Sequence, residues 1–169
     1  MSGGDGELRP RRSRWRLVLL VAAGVVGVDQ TTKAIALDTL RAGPYHVVGP
    51  ISLRLAYNTG VAFSIGAGWA LPIVLVVLVV LAGLLRAFRR SVGEAGVAVA
   101  LGLVLGGALG NLADRLFRGH GGAVVDFVRV GFWPTFNLAD ASIVCGAVLL
   151  AFSIWRRPSG RRAGGSGPA

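Results

Sequence analysis

The chain has 169 residues, 53% of them apolar and only 15% charged, with a mean hydropathy of +0.65, which is too apolar for a soluble domain. We therefore expect an integral membrane protein. One crossing takes about 20 helical residues, so the length holds about four crossings and excludes a further large soluble domain. The net charge of +10 does not indicate nucleic-acid binding, because the basic residues are divided among clusters between apolar runs.

Four apolar segments predict four membrane-spanning helices, at residues 17–37, 69–87, 93–113 and 138–155. The first must continue through the polar group at 29–33 to be long enough. The Gly-containing stretch 58–68 before the second span is not predicted to be helical. The third span is rich in Gly and Ala, which indicates a central place in the bundle. Residues 1–14 and 157–169 are predicted to be disordered cytoplasmic tails around one membrane domain, residues 15–156.

The distribution of charge predicts the orientation. The arginines near the N-terminus, at 86–90 and near the C-terminus all fall on one side of the membrane, so both termini are expected in the cytoplasm. The outer side holds five of the eight acidic residues: Asp29, Asp38, Asp114, Asp126 and Asp140. Acids needed only for solubility would be scattered, so this gathering indicates a functional site at the outer helix ends.

Two of the segments between the spans have strand character. Residues 51–57 alternate large apolar with small or polar side chains, and residues 124–130 are rich in β-branched types. The predicted fold is therefore a membrane all-α protein, with four transmembrane helices and a small extracytoplasmic β-sheet formed by the outer loops.

Two pairs of polar residues are spaced one helical turn apart. Asp29 and Lys33 share a face, where an ion pair would let both charges sit in the membrane whatever the protein does. Asn111 and Arg115 have the same spacing, and Arg115 either extends to the headgroups or reaches back to a carboxylate. Asp114 points elsewhere and is expected to contact a loop or a basic neighbour.

Two further acids invite a chemical interpretation. Asn137 and Asp140 are spaced as a helix N-cap and its third residue, so capping alone would explain them. Capping does not explain Asp126, which lies in the apolar strand segment Val124 to Val128. Two carboxylates in a partly apolar cavity are the minimum apparatus of an aspartic protease: one ionised Asp takes a proton from water while its protonated partner polarises the scissile carbonyl. The helix dipole favours the ionised form of Asp140 and the apolar segment favours the neutral form of Asp126, so we expect Asp140 to be the base and Asp126 the acid.

Other kinds of site are disfavoured. His46 and His120 are isolated and follow no nucleophile motif, so a serine triad is not indicated. Cys145 is the only cysteine, and no clustered ligands suggest a metal. We expect neither a metal nor a cofactor.

Five motifs resemble the signature blocks of bacterial lipoprotein signal peptidase (signal peptidase II), an aspartic peptidase family, and occur in the family's order. They are residues 29–33 (DQTTK), 58–63 (NTGVAF), 110–115 (GNLADR), 124–127 (VVDF) and 136–140 (FNLAD). The resemblance covers about residues 15–155.

The resemblance implies an endopeptidase of the bacterial inner membrane, with its active site at the outer face, that cleaves prolipoproteins before a diacylglyceryl-modified cysteine. It implies that Asp126 and Asp140 are the catalytic pair. Residues that line or support the site would be Asp29, Asn58, Asn111, Arg115 and Asn137, and we add Lys33 as the partner of Asp29. Lipidated prolipoprotein and membrane lipid are the expected partners, without nucleic acid, and the enzyme is expected to act as a monomer.

One alternative from another class stays open at this stage. In a small proton-coupled transporter or lipid-binding membrane protein, the same acids would relay protons or hold a headgroup. Against it, the acids crowd one side of the membrane instead of forming a path across.

Overall fold

The computed structural model describes residues 14–60 and 70–156. Four helices and three strands follow one another in this part of the chain: α1 (Trp15–Thr39), β1 (Tyr45–Val48), β2 (Ile51–Asn58), α2 (Ala70–Phe88), α3 (Ala95–Phe117), β3 (Val124–Val130) and α4 (Leu138–Trp155). Both predicted tails except Arg14, and most of the stretch predicted to be irregular, lie outside the described residues.

The predicted elements begin and end within two residues of the observed ones, apart from the end of the third helix, and one observed strand was not predicted. β3 and α4 begin and end at the predicted residues. The predicted end of the third helix at residue 113 is wrong, because α3 continues to Phe117. The charge of Asp114 does not end the helix, since Arg118 one turn later donates from Nε to Asp114 Oδ1 at 2.9 Å. β1 was not predicted, because its four residues are too few to show a period.

Within the part of the chain that the structure describes, three helices are long and apolar enough to cross a membrane: α1, α3 and α4. The apolar stretch of α2 is shorter, from Pro72 to Phe88. The chain is therefore a mostly helical membrane protein with a small antiparallel sheet.

α3 lies between α1 and α4, and its glycines permit the close packing. A Cβ on Gly106 would lie 2.8 Å from Ala22 O of α1, and one on Gly107 would overlap Ala139 O of α4. Backbones approach this closely only where side chains are absent. The small-residue composition of the third span thus corresponds to its central position.

Gly107→Ala is expected to destabilise the protein by about 1–3 kcal/mol, because the methyl group would push α4 away. The measurement is thermal unfolding in detergent. Gly96→Ala is the matched control, since no atom lies within 4 Å of a Cβ at that position and Ala is the better helix former. Equal melting temperatures for the two variants would mean that the α3–α4 contact is not tight.

The three strands form one sheet in the order β1-β2-β3, and this sheet positions the candidate acid Asp126 near the start of α4. Asp126 on β3 pairs with Ala56 on β2. On the other edge of β3, Val128 bridges to Phe136, and Phe136 O accepts from the backbone N–H groups of Phe127 and Val128. The segment leading into α4 therefore runs beside β3 and brings Asn137 and Asp140 to Asp126.

Candidate active site

Asp126 is buried, with only 1% of its surface exposed. Asn137 Nδ2 donates to its Oδ1 at 2.6 Å, and Asn58, at the end of β2, also hydrogen-bonds to this carboxyl group. The strand geometry explains the second contact: Asn58 pairs with Val124, two residues from Asp126 on the same face.

Asp140 is half-buried in the first turn of α4. Asn137 and Asp140 form the capping box that their spacing predicted: Asn137 Oδ1 accepts from the Asp140 backbone N–H at 2.9 Å, and Asp140 Oδ2 accepts from that of Asn137 at 3.2 Å. The second oxygen, Oδ1, accepts from Asn111 Nδ2 at 2.8 Å. Capping and a place beside Asp126 are therefore compatible roles for one residue.

Asn137 touches both acids, donating to Asp126 from its side chain and to Asp140 from its backbone. Within residues 14–60 and 70–156, neither acid forms an ion pair. Two carboxyl groups held side by side by neutral donors repel each other when both are ionised, so the pair favours holding one proton.

The pKa of Asp126 is raised to about 6, first because burial penalises its charged form and second because the charge of Asp140 repels it. Hydrogen bonds from Asn58 and Asn137 and the positive charge of Lys33 oppose this rise only in part. Asp126 is accordingly the member of the pair suited to carry the proton.

Asp126→Asn should raise thermal stability near pH 7 and lose this advantage near pH 4. The folded state of the wild type binds the Asp126 proton more tightly than the unfolded chain does. Its stability therefore falls as the pH rises from about 4 to about 6, by up to about 1.4 kcal/mol per pH unit. Asn does not titrate, so the difference in melting temperature between variant and wild type should grow across this window. A difference independent of pH would contradict the raised pKa, and Asp38→Asn, at an exposed acid on α1, is the control.

Lys33 lies at the centre of a buried network behind Asp126 and Asp140. Its Nζ contacts Asp29 Oδ2 at 2.8 Å and Asp114 Oδ2 at 3.0 Å, with all three side chains fully buried. It also donates to Asn111 Oδ1 at 3.0 Å, and Asn111 in turn donates to Asp140. The ion pair predicted from the Asp29–Lys33 spacing is thus one part of a larger network.

The two acids paired with Lys33 hold the backbone on either side. Asp29 Oδ1 accepts from the N–H of Ala139 in the first turn of α4 at 3.0 Å, a group that has no partner within its own helix. Asp114 Oδ2 accepts from the N–H of Val125 at 3.0 Å, the residue before Asp126. The basic neighbour expected for Asp114 is present, as Lys33 and Arg118, and its backbone contact is with strand β3.

This network has two further members that no sequence pattern predicted, Gln30 and Arg118. Gln30 Nε2 donates to Asp29, Asp114 and the carbonyl of Gly110, and Arg118 Nη2 donates to Gln30 Oε1. The signals were present: Gln30 interrupts an apolar helix beside Asp29, and Arg118 is one turn from Asp114. Only proximity between α1 and α3 shows that they belong together.

Arg115 lies at the edge of the site. Its Nη1 donates to the carbonyl of Asn111 at 3.3 Å, its Nε is buried without a partner among the described residues, and it attracts Asp140 and Asp126 electrostatically. A cavity of about 170 Å³ lies beside it between α2, α3 and α4, lined by Val74, Val77, Ala108, Asn111, Leu112, Arg115 and Ile143. A peptide carbonyl entering there would find an unused donor.

Asp38, His46 and His120 lie outside the site around Asp126 and Asp140. Asp38 is exposed at the C-terminal end of α1 and, among the described residues, makes no hydrogen bond or ion pair with the other four acids. His46 interacts with Gly49 O, and His120 packs against the ring of Tyr57. Within the described ranges, no group of three or more His, Cys, Asp or Glu is arranged to hold a metal.

Comparison with known proteins gives consistent results. The profile of the family described as Signal peptidase (SPase) II matches residues 21–156. The chain is 46% identical to a lipoprotein signal peptidase of Rhodococcus jostii (strain RHA1), over 95% of this chain and 85% of the relative. It is also 46% identical to one of Mycobacterium avium (strain 104), over 84% and 80%. A solved structure described as a bacterial membrane enzyme, determined by the in meso method at 1.9 Å resolution, has a TM-score of 0.73 at 29% identity and covers 83% of this chain and 94% of its own.

Proposed function

This chain belongs to the signal peptidase II family, and we propose that Asp126 and Asp140 are the two acids with which it cleaves prolipoproteins. As a lipoprotein signal peptidase, it removes signal peptides from prolipoproteins. The observation that carries the assignment is that Asn137 holds both carboxyl groups, one of them buried and one accessible.

The two acids divide the chemistry according to their surroundings. Ionised Asp140, with access to water, removes a proton from the attacking water as the water oxygen bonds to the scissile carbonyl carbon. Protonated Asp126 donates its proton to the developing oxyanion. When the tetrahedral intermediate collapses, Asp140 gives its proton to the leaving amine and Asp126 recovers its own, so one water molecule is consumed and both acids return to their starting states.

Asn111, Asn137 and Asn58 orient the pair without adding charge, and Lys33 with Asp29 fixes the frame behind it. Arg115 binds the substrate. Its unpaired Nε can donate to a peptide carbonyl, and the apolar cavity beside it suits small apolar side chains of an extended peptide. The edge of β3 at Phe127 and Val128 is already paired with Phe136, so the substrate does not bind by extending the sheet there.

The substrate is a prolipoprotein whose cysteine already carries a diacylglyceryl group, and cleavage occurs before that cysteine. An acyl-bearing substrate stays in the bilayer. Asp140 lies in the first turn of α4, a helix long and apolar enough to cross the bilayer, so the pair would meet such a cysteine where it leaves the lipid. The acids do not form a path through the membrane, so no observation favours a transporter.

We further propose that α2 is a fourth crossing in the bacterial inner membrane, with both termini in the cytoplasm and the acids at the outer face. Its 19 residues span about 28 Å, and several of its apolar side chains are exposed. Its cytoplasmic end is marked by Arg86, Arg89 and Arg90.

Reporter fusions test this topology. Reporters fused at Arg90 and at either terminus should be found in the cytoplasm, and a reporter at Arg41 or His120 should be found on the outer side. An outer location for Arg90 would remove α2 from the spans.

The test of the activity uses purified protein in detergent with a lipidated prolipoprotein. Release of the signal peptide is followed by mass spectrometry, and the same precursor with its lipidated cysteine changed to serine is the control. Cleavage of the lipidated precursor alone is expected. Equal cleavage of both precursors would contradict the lipid requirement, and cleavage of neither would contradict the activity.

A further inference from the structure

At the end of the sheet away from Asp126, several large apolar side chains are exposed. The turn between β1 and β2 lies beside the turn after β3, where Gly131 N donates to Pro50 O at 2.8 Å. We call the large exposed side chains in and beside these two turns the apolar tip: Val47 and Val48 at the end of β1, Val130 at the end of β3, and Phe132 and Trp133 after it. Phe132 is 93% exposed and Trp133 is 60% exposed, which is unfavourable in water.

The surroundings of the apolar tip are cationic. Between residues 41 and 58, and between residues 118 and 137, the only acid is Asp126, which is buried. Arg54 is exposed, and Arg129 donates from Nε to Gly131 O at 3.0 Å, which holds its guanidinium group beside the tip. Aromatic rings next to arginines are the combination that proteins place at the boundary between headgroups and acyl chains.

The chain also brings the apolar tip close to the bilayer. Trp133 lies five residues before the first residue of α4, so it is within about 17 Å of the point where that helix starts. The headgroup layer adds several ångströms beyond the hydrocarbon on each side. Pro134 follows directly and restricts the backbone of Trp133.

We propose that the apolar tip inserts into the outer leaflet and that Arg54 and Arg129 bind the phosphate groups of anionic lipids around it. This contact holds β3 at a fixed height above the membrane, which sets the height of Asp126 relative to a lipidated cysteine. The inference rests on the outward orientation proposed above but not on the roles of the two acids.

The test uses Trp133 as the only tryptophan, after Trp15→Phe, Trp69→Phe and Trp155→Phe, in the Asp126→Asn background so that catalysis plays no part. The protein is placed in phosphatidylglycerol vesicles that contain lipids brominated either near the headgroup or near the acyl terminus. We expect stronger quenching by the shallow bromines and little quenching by iodide in water. Free access of iodide without lipid quenching would overturn the proposal, and so would protection from both, which would indicate a protein contact.

Kinetic measurements distinguish membrane anchoring by the apolar tip from a role of these residues in catalysis. With Asp126 intact, Phe132→Ser combined with Trp133→Ser should raise KM for lipidated precursor in phosphatidylglycerol vesicles by about tenfold, equivalent to about 1.4 kcal/mol. The kcat value, and both constants in detergent, should stay near wild type. Arg54→Gln with Arg129→Gln should raise KM in these vesicles but not in phosphatidylcholine vesicles. Unchanged KM values in all variants would overturn the anchor and leave the assignment of the two acids standing.

Discussion

Replacing Asp126 or Asp140 by Asn is expected to lower kcat for lipidated precursor by about a thousandfold or more, within the range that acid–base groups contribute. An amide keeps the shape of the side chain but cannot take up or return a proton. Because the two carboxyl groups share one function through Asn137, the double variant should be little worse than either single one. The measurement is single-turnover cleavage in detergent.

Stability separates the chemical role from the structural one. Asp140 also accepts from the backbone of Asn137, so Asp140→Asn should cost about 1 kcal/mol of stability, whereas Asp126→Asn should be at least as stable as wild type near pH 7. Asp38→Asn should change neither property. Near-normal cleavage by either variant of the pair would show that the two-aspartate mechanism is wrong.

Lys33→Met is expected to give the largest loss of stability, about 3–5 kcal/mol, because it leaves buried carboxylates without their shared cation. Asp29 and Asp114 are both fully buried against Lys33 Nζ. They also hold the N–H groups of Ala139 and Val125, so α4 and β3 should loosen together. Thermal unfolding and the yield of inserted protein measure the effect.

The variant that combines Lys33→Met with Asp29→Asn is the matched control, since it removes one charge of each sign. It should recover part of the stability but only part of the activity, because Asn111 Oδ1 keeps its hydrogen bond from Asn137 but loses the one from Lys33, and Asn111 positions Asp140. Asp29→Asn alone should be milder, since Lys33 keeps Asp114 as a partner. A double variant no more stable than Lys33→Met would mean that charge balance is not what Lys33 provides.

The elements that depend on local pattern were predictable. α4 and β3 follow from hydropathy and β-branched content, and the capping box follows from the spacing of Asn137 and Asp140. The same holds for Asp126, because a carboxylate in an apolar strand has no local justification. The motif resemblance then pointed to both acids before any geometry was known.

The network behind the acids was predictable only in part. The spacing of Asp29 and Lys33 indicated their pair, but nothing local indicates that Lys33 also reaches Asp114, 81 residues away. The roles of Gln30 and Arg118 depend on how closely α1 approaches α3, which in turn depends on Gly102 and Gly106.

Sequence by itself determined the four helices, two of the three strands and which acids stand in apolar surroundings, because these depend on neighbours within a turn or two of the chain. Tertiary structure alone decided which donors from distant segments meet each carboxylate, and hence that the pKa of Asp126 is raised and that Lys33 binds Asp114 as well as Asp29. The reason is that a hydrogen bond or buried ion pair between segments remote in sequence forms only when the distance between donor and acceptor is correct to within a few tenths of an ångström. Those distances are set by how the helices pack.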